Sequence, residues 1–123
     1  TQEFDTITQK IRKIKSINKP LVIACKGIDI NSNKLLTEIS KENLPDCIPV
    51  ILSGPGFAID LANGHPIAIT LASDSYSTLE NMGQLLASHN FRPYFNDDVV
   101  GVQIGGALKN VIAIATGIAM GKN

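Results

Sequence analysis

Apolar positions in this chain recur first at helical spacing, then as short unbroken runs, and finally as one long block. Phe4, Ile7, Ile11 and Ile14 mark one face of an amphipathic helix from Thr1 to about Ile17, with Lys10, Arg12, Lys13 and Lys15 mostly off that stripe as a solvated face. Asn18-Lys19-Pro20 breaks the helix. Leu21 to Cys25 follows as a continuous apolar run, the pattern of a strand covered on both faces. A short helix through Leu35, Leu36 and Ile39 ends near Asn43, and Val50-Ile51-Leu52 forms a second strand. A helix over Phe57 to Asn63 stops at Gly64, and a third strand covers Ile67 to Leu71. Leu79, Met82, Leu85 and Leu86 place a helix between Ser75 and His89. Phe91 to Phe95 is a fourth strand that Pro93 confines to an edge or an end. Asn96, Asp97 and Asp98 then supply N-caps for a helix from about Val99 to Met120 that is apolar on nearly every side.

Strand and helix alternate up to residue 96, which predicts an α/β fold with a largely parallel sheet. At Asn96 the alternation stops and the long helix begins, so a boundary is expected there. Burial inside a protein is expected for that helix. Its length suits a membrane span, and Gly101 and Gly105 form a Gly-x-x-x-Gly pair, but Gln103, Lys109 and Asn110 lie near its centre. A lysine there costs about 3 kcal/mol to insert, so no membrane span is expected.

Composition narrows the function without naming it. Eleven basic residues balance eleven acidic ones, so there is no global field for nucleic acid, and any anion site must be local. The two cysteines, Cys25 and Cys47, lie at neither metal-ligand nor disulfide-framework spacing; no metal is expected, Cys25 reads as a small core residue, and a reducing cytoplasm is the expected location. The N-terminus carries no signal-peptide pattern. It opens inside a helix without an initiator methionine, so the chain is expected to be an excerpt of a longer protein.

In open α/β sheets, ligands bind beyond the carboxyl ends of the strands. Two such ends are polar here. Lys26-Gly27 offers a cation beside a residue that permits close approach, and Ser53-Gly54-Pro55-Gly56 offers backbone amides leading into the helix at Phe57; together they suit a phosphate or another anion. On the long helix, Gln103, Gly106, Asn110, Ala113 and Gly117 share one narrow stripe, with Lys109 and Thr116 beside it. Two readings of that stripe stay open: a face where a ligand comes close to Lys109 and Asn110, or a tight helix-helix seam with Lys109 reaching outward. In an apolar setting Lys109 would have its pKa lowered from about 10.4 toward neutrality, as an acid-base lysine requires. Asp60, Asp74, Asp97 and Asp98 form no carboxylate pair, and His65 and His89 read as surface histidines.

The run from Leu21 to Gly27 ending in Cys-Lys-Gly, the segment Ser53-Gly-Pro-Gly-Phe-Ala58, and Gly101-Val-Gln-Ile-Gly-Gly-Ala-Leu-Lys-Asn-Val-Ile-Ala-Ile-Ala115 resemble, in that order, the bacterial-type NAD(P)-dependent glycerol-3-phosphate dehydrogenases. The resemblance implies reversible NAD(P)H-dependent reduction of dihydroxyacetone phosphate to sn-glycerol 3-phosphate for glycerophospholipid synthesis. It implies Lys109 as catalytic lysine, Asn110 as a substrate-orienting residue, Lys26 as a contact to both substrate and nucleotide, Gly54 and Gly56 at the substrate, and Ala58 at the cofactor. It further implies that residues 1–96 are the C-terminal part of an NAD(P)-binding Rossmann domain and 97–123 the start of a helical substrate-binding domain. The dinucleotide fingerprint, and the residues choosing NADH or NADPH, would then precede Thr1, leaving the chain alone inactive. Glycine at position 56 departs from the usual serine or threonine, so a hydroxyl contact is missing. A homodimer is also among the expectations. Two rivals stand beside this reading. In 3-hydroxyacid or 6-phosphogluconate type dehydrogenases the catalytic lysine and the asparagine are usually several residues apart, whereas here they are adjacent; a non-catalytic α/β interaction module would use the glycine stripe as a subunit seam.

Overall fold

The computed structural model describes residues 1–14, 18–54, 56 and 58–121. Its elements follow in the order α1 (Phe4–Ile14), β1 (Pro20–Ile23), α2 (Leu36–Asn43), β2 (Ile48–Ser53), α3 (Ala58–Ala62), β3 (Ile67–Ala72), α4 (Tyr76–Leu86), β4 (Phe91–Asn96) and α5 (Val99–Met120). The last turn expected of the first helix, and Phe57 at the expected start of α3, lie outside the described residues.

The four strands form one sheet in the order β1-β2-β3-β4. β1 pairs parallel with β2, and β3 parallel with β4, but β2 and β3 run antiparallel. The sheet is thus mostly parallel, with one reversal that strand periodicity could not show. The reason lies in α3. The connection from β2 to β3, residues 54–66, is thirteen residues long, near the minimum for a parallel crossover, and a crossover must also climb the full height of the sheet. Five helical residues rise only about 7.5 Å. The chain therefore turns at the rim, where Gly64, at φ +75°, ends the helix, and it comes back down. Gly54 makes this possible, because a Cβ there would stand 3.2 Å from both the Ala68 carbonyl oxygen and Ile69 Cα.

Alternation along β2 divides the core. Ile51 joins Ile23, Leu36, Ile39, Ala72 and Val99 on the face that α2 and α5 cover. Val50 joins Ile67, Ile69, Leu71 and Leu79 on the face that α4 covers. α4 sits close to β4 because residue 83 is glycine; a Cβ would stand 2.4 Å from the Phe95 ring. β4 is an edge strand, as Pro93 predicts.

Two burial expectations need correction. β1 is at the opposite edge, and of its residues only Ile23 is fully buried, so its continuous apolarity is not matched by cover on both faces within this chain. Cys25, expected in the core, is exposed beyond the end of β1, whereas Cys47 is buried. In α1 the buried stripe runs through Phe4, Thr8 and Ile11, and Ile7 and Ile14 are exposed. The rotation has a polar cause: Asn43 of α2 donates to Asp5 Oδ1 at 2.7 Å and to Thr8 Oγ1 at 2.8 Å, drawing that side of α1 inward.

The largest correction concerns α5. Its bounds match the expectation residue for residue, but its cover does not. Val99 and Gln103 are its only buried residues, and from Leu108 to Met120 every position is exposed, including Val111, Ile112, Ile114 and Ile118. It is long and apolar enough to cross a membrane by length and composition, and 11% of its most apolar stretch is buried. The helix leaves the sheet after about two turns, and nothing among the described residues follows it outward.

Candidate active site

The carboxyl ends of β1 and β2 lie side by side, since the parallel register sets Ile23 opposite Ile51. Lys26 follows β1 by three residues and Gly54 follows β2 by one. The Lys26 ammonium donates to the Gly54 carbonyl oxygen at 3.0 Å, which ties the two strand ends together. Among the described residues one of the three ammonium protons is used in this way, which leaves two that could meet a ligand. Gly27 holds φ +128°, a conformation L side chains rarely adopt, and a Cβ there would also press on Thr1 at 3.1 Å. Thr1 Oγ1 in turn donates to the Lys26 carbonyl oxygen, so the backbone behind the lysine is fixed from both sides.

α5 closes the third side. Its N-terminus is capped by Asp98, which accepts from the Gly101 amide at 2.8 Å, while Asn96 Oδ1 accepts from the Asp98 amide at 2.8 Å. This bears out the cap read from Asn96 to Asp98. Gly106 then rests against the strand ends: a Cβ at that position would stand 3.1 Å from Ser53 Oγ and 3.7 Å from Cδ and Cγ of Lys26. Lys26, Ser53, Gly54 and Gly106 are thereby gathered at one rim. The recess among Cys25, Lys26, Ser53, Gln103 and Gly106 holds about 10 Å³, room for at most one water. It is one wall of a site rather than an enclosed pocket.

The remaining expected residues are not gathered in the same way. Lys109 and Asn110 are exposed, one turn beyond Gly106. The apolar enclosure expected to shift Lys109 toward neutrality is therefore not supplied by the described residues. Asn110, Ala113 and Gly117 are likewise exposed, and a Cβ at Gly117 would meet nothing within 4 Å, so no helix-helix seam forms on this stripe among the described residues. Along α5, glycine at 106 clears space for the strand ends, whereas a Cβ on Gly105 would meet nothing within 4 Å. Gly56 is exposed and packs on Ile67, whose Cγ2 would be 2.6 Å from an added Cβ, so glycine suits this backbone where a serine would crowd it. Ala58 opens α3. Its side chain lies outside the described residues, as do Pro55 and Phe57.

His65 and His89 are exposed, as expected; His65 Nδ1 is 3.6 Å from Asp60 Oδ1, and His89 Nδ1 is 2.7 Å from Asn90 Oδ1. Two residues at the rim were not singled out for what they do here. Ser53 faces Gly106, and Gln103, read as part of the polar stripe, is buried against α2. A glutamine inside an apolar helical run was the available signal for the second.

A family profile described as NAD-dependent glycerol-3-phosphate dehydrogenase N-terminus matches residues 1–79, and one described as the C-terminus of the same family matches residues 98–123. A Hyphomonas neptunium protein named glycerol-3-phosphate dehydrogenase (NAD(P)+) is 40% identical over 98% of this chain and 36% of its own length. A protein of the same name from Afipia carboxidovorans is 52% identical over 84% of this chain and 32% of its own length. Among solved structures, glycerol-3-phosphate dehydrogenase from Coxiella burnetii superposes with a TM-score of 0.85 at 31% identity, covering 97% of this chain and 36% of that one. The Plasmodium falciparum glycerol-3-phosphate dehydrogenase, at 24% identity and a TM-score of 0.82, shares the fold, with 99% of this chain and 35% of that one covered. The chain spans about a third of the length of the relatives it matches. On the family profile that covers most of its residues, with a second over the long helix, this chain belongs to the NAD-dependent glycerol-3-phosphate dehydrogenase family.

Proposed function

We propose that the protein containing this chain reversibly reduces dihydroxyacetone phosphate to sn-glycerol 3-phosphate with NAD(P)H, feeding glycerophospholipid synthesis. The observation that carries this reading is the rim itself. In a chain of this family, Lys26 joins the ends of β1 and β2 through its ammonium and lays its stem near Gly106, one turn before Lys109 and Asn110. The donor set fits an anionic substrate and the polar edge of a nucleotide, because among the described residues one Lys26 proton is engaged and Gly106 removes a Cβ that would press on Ser53 at 3.1 Å.

When bound, the nicotinamide supplies the hydride that reduces the substrate's second carbon. Lys109 gives a proton to the oxygen of that carbon and takes it back in the oxidative direction. Asn110 orients the substrate beside Lys109. Lys26 holds its charge and touches the cofactor, Gly54 and Gly56 offer backbone to the substrate, and Ala58 lines the cofactor. In this reading residues 1–96 complete the nucleotide-binding domain and 97–123 begin the helical substrate domain. The separate profile over residues 98–123 supports that division. The bare apolar side of α5 supports it too, since such a surface is costly in water and suits cover by further helices. Cover of that kind would also supply the desolvation Lys109 lacks here. A homodimer, a cytoplasmic location and the absence of a membrane span belong to the same proposal; Lys109 and Asn110 near the middle of α5 weigh against a bilayer.

The test is an assay of the full-length protein for oxidation of NADH or NADPH that depends on dihydroxyacetone phosphate. Turnover by the wild type, lost in Lys109→Met, is expected. A wild type that oxidises neither nucleotide with this substrate, or a Lys109→Met protein that turns over normally, would sink the proposal. The isolated 123-residue chain is expected to show no measurable turnover, and robust reduction by it would remove that part.

A further inference from the structure

Gln103 is a buried polar side chain in the apolar start of α5, 6% exposed. Every polar atom of its amide is used. Its Oε1 accepts from the Thr37 backbone amide at 3.2 Å, and its Nε2 donates to Thr37 Oγ1 at 2.9 Å and to the Val99 carbonyl oxygen at 3.1 Å. Thr37 is the second residue of α2, where a helix leaves its backbone amides without internal partners. Leu35, at the N-cap, has no side-chain acceptor to offer. Gln103 therefore satisfies the start of α2 from a position 66 residues away in sequence.

The consequence for α5 is orientation. Apolar contacts from Val99 and Val102 bury area, but they do not fix how far the helix is rotated about its axis. A two-pronged amide bonded to one residue does. Seven residues advance a helix by close to two full turns, so Asn110 lies along the line of Gln103, with Lys109 beside it. A rotation of about 20° would move a side-chain tip 5 to 6 Å off the axis by about 2 Å. Displacements of about 1 Å can cost on the order of 10²-fold in rate. Beyond Ala107 nothing among the described residues corrects such an error, because α5 is exposed from Leu108 onward.

We infer that the Gln103–Thr37 fork is a positioning device that sets the rotation of α5, and through it the aim of Lys109 and Asn110 at the Lys26 rim. This rests on the reading of Lys109 as the proton donor. Gln103 touches no reacting atom in this scheme, so its signature is a change in turnover that vanishes when Lys109 is already gone.

The test uses the full-length protein. Gln103→Leu is expected to lower kcat by about 10-fold to 100-fold, with the KM for dihydroxyacetone phosphate changed by less than about threefold. Thr37→Val removes one prong with little change in shape and should lower kcat by a smaller factor, which keeps the proposal testable if Gln103→Leu folds poorly. In a Lys109→Met background neither Gln103→Leu nor Thr37→Val should slow the enzyme further. An undiminished kcat in Gln103→Leu overturns the inference. So does a loss that multiplies in full with that of Lys109→Met, or one explained by the fraction of protein unfolded in a melting curve. A wild type without turnover overturns the dehydrogenase reading and this role with it, whereas an active wild type with an indifferent Gln103→Leu overturns this role alone.

Discussion

The two parts of α5 are both rich in apolar residues and meet opposite circumstances. From Val99 to Gly106 the helix is capped by Asp98, forked to α2 by Gln103 and laid against Ser53 and Lys26 at Gly106. From Ala107 to Met120 it carries Val111, Ile112, Ile114 and Ile118, all exposed. Both halves ask for cover, and only one receives it. Apolar character states a need, while cap, fork and close approach decide where the need is met. Lys109 lies just past the change, where its chemistry depends on whatever completes the second half.

The comparison can be broken most forcefully at Lys109. In the full-length protein Lys109→Met should lower kcat by about 10²-fold to 10⁴-fold, the range of an acid-base group, as read by steady-state kinetics. A smaller effect is expected from crowding the anchored half: Gly106→Val places a branched side chain where a Cβ alone is 3.1 Å from Ser53 Oγ, and should cost about 1–3 kcal/mol in a denaturant titration. Asp98→Ala removes the cap and should cost about 1 kcal/mol by the same measurement, with the amide of Gly101 exchanging faster. On the bare half the sign reverses. In the isolated 123-residue chain a Cβ at Gly117 meets nothing within 4 Å, so there Gly117→Ala should raise helix content and stability by about 0.5–1 kcal/mol. Should Gly117→Ala destabilise instead, that face is packed in solution and the contrast between the halves fails.

The smallest effect lies away from α5, in the loop after β1. Asp29 has its pKa held below the usual 3.8, first by the Ser32 backbone amide at 2.8 Å and then by the Ser32 hydroxyl at 2.8 Å. A depressed carboxylate contributes stability that is present above pH 3.8 and is lost as pH falls through the lowered value. Replacing Asp29 by Asn should flatten that acid limb in a melting series while leaving the α5 substitutions with the same differences as at neutral pH.

Much of the fold was legible because local chemistry is enough to start and stop elements. Gly64, Asp98 and Pro93 did in the structure what their types predict at a helix end, a helix start and an edge strand. The site was legible in part. Lys26 and Gly54 meet as the strand-end pattern implies, and the family followed from three short segments and was shown by comparison over the chain. The role of Gln103 was not legible, since nothing local to residue 103 announces a partner at residue 37.

The sequence by itself determined the order and approximate extent of the elements, the family, and the residues that carry charge at the strand ends. Periodicity, caps and breakers act over a few residues, so they can be read from a few residues. Only the tertiary structure decided that β2 and β3 run antiparallel, that α1 buries Thr8 in place of Ile7, and that α5 stands free from Leu108 onward. Those outcomes depend on contacts between segments tens of residues apart, where the number of turns in α3 or a single amide on Asn43 outweighs the local preference for burial.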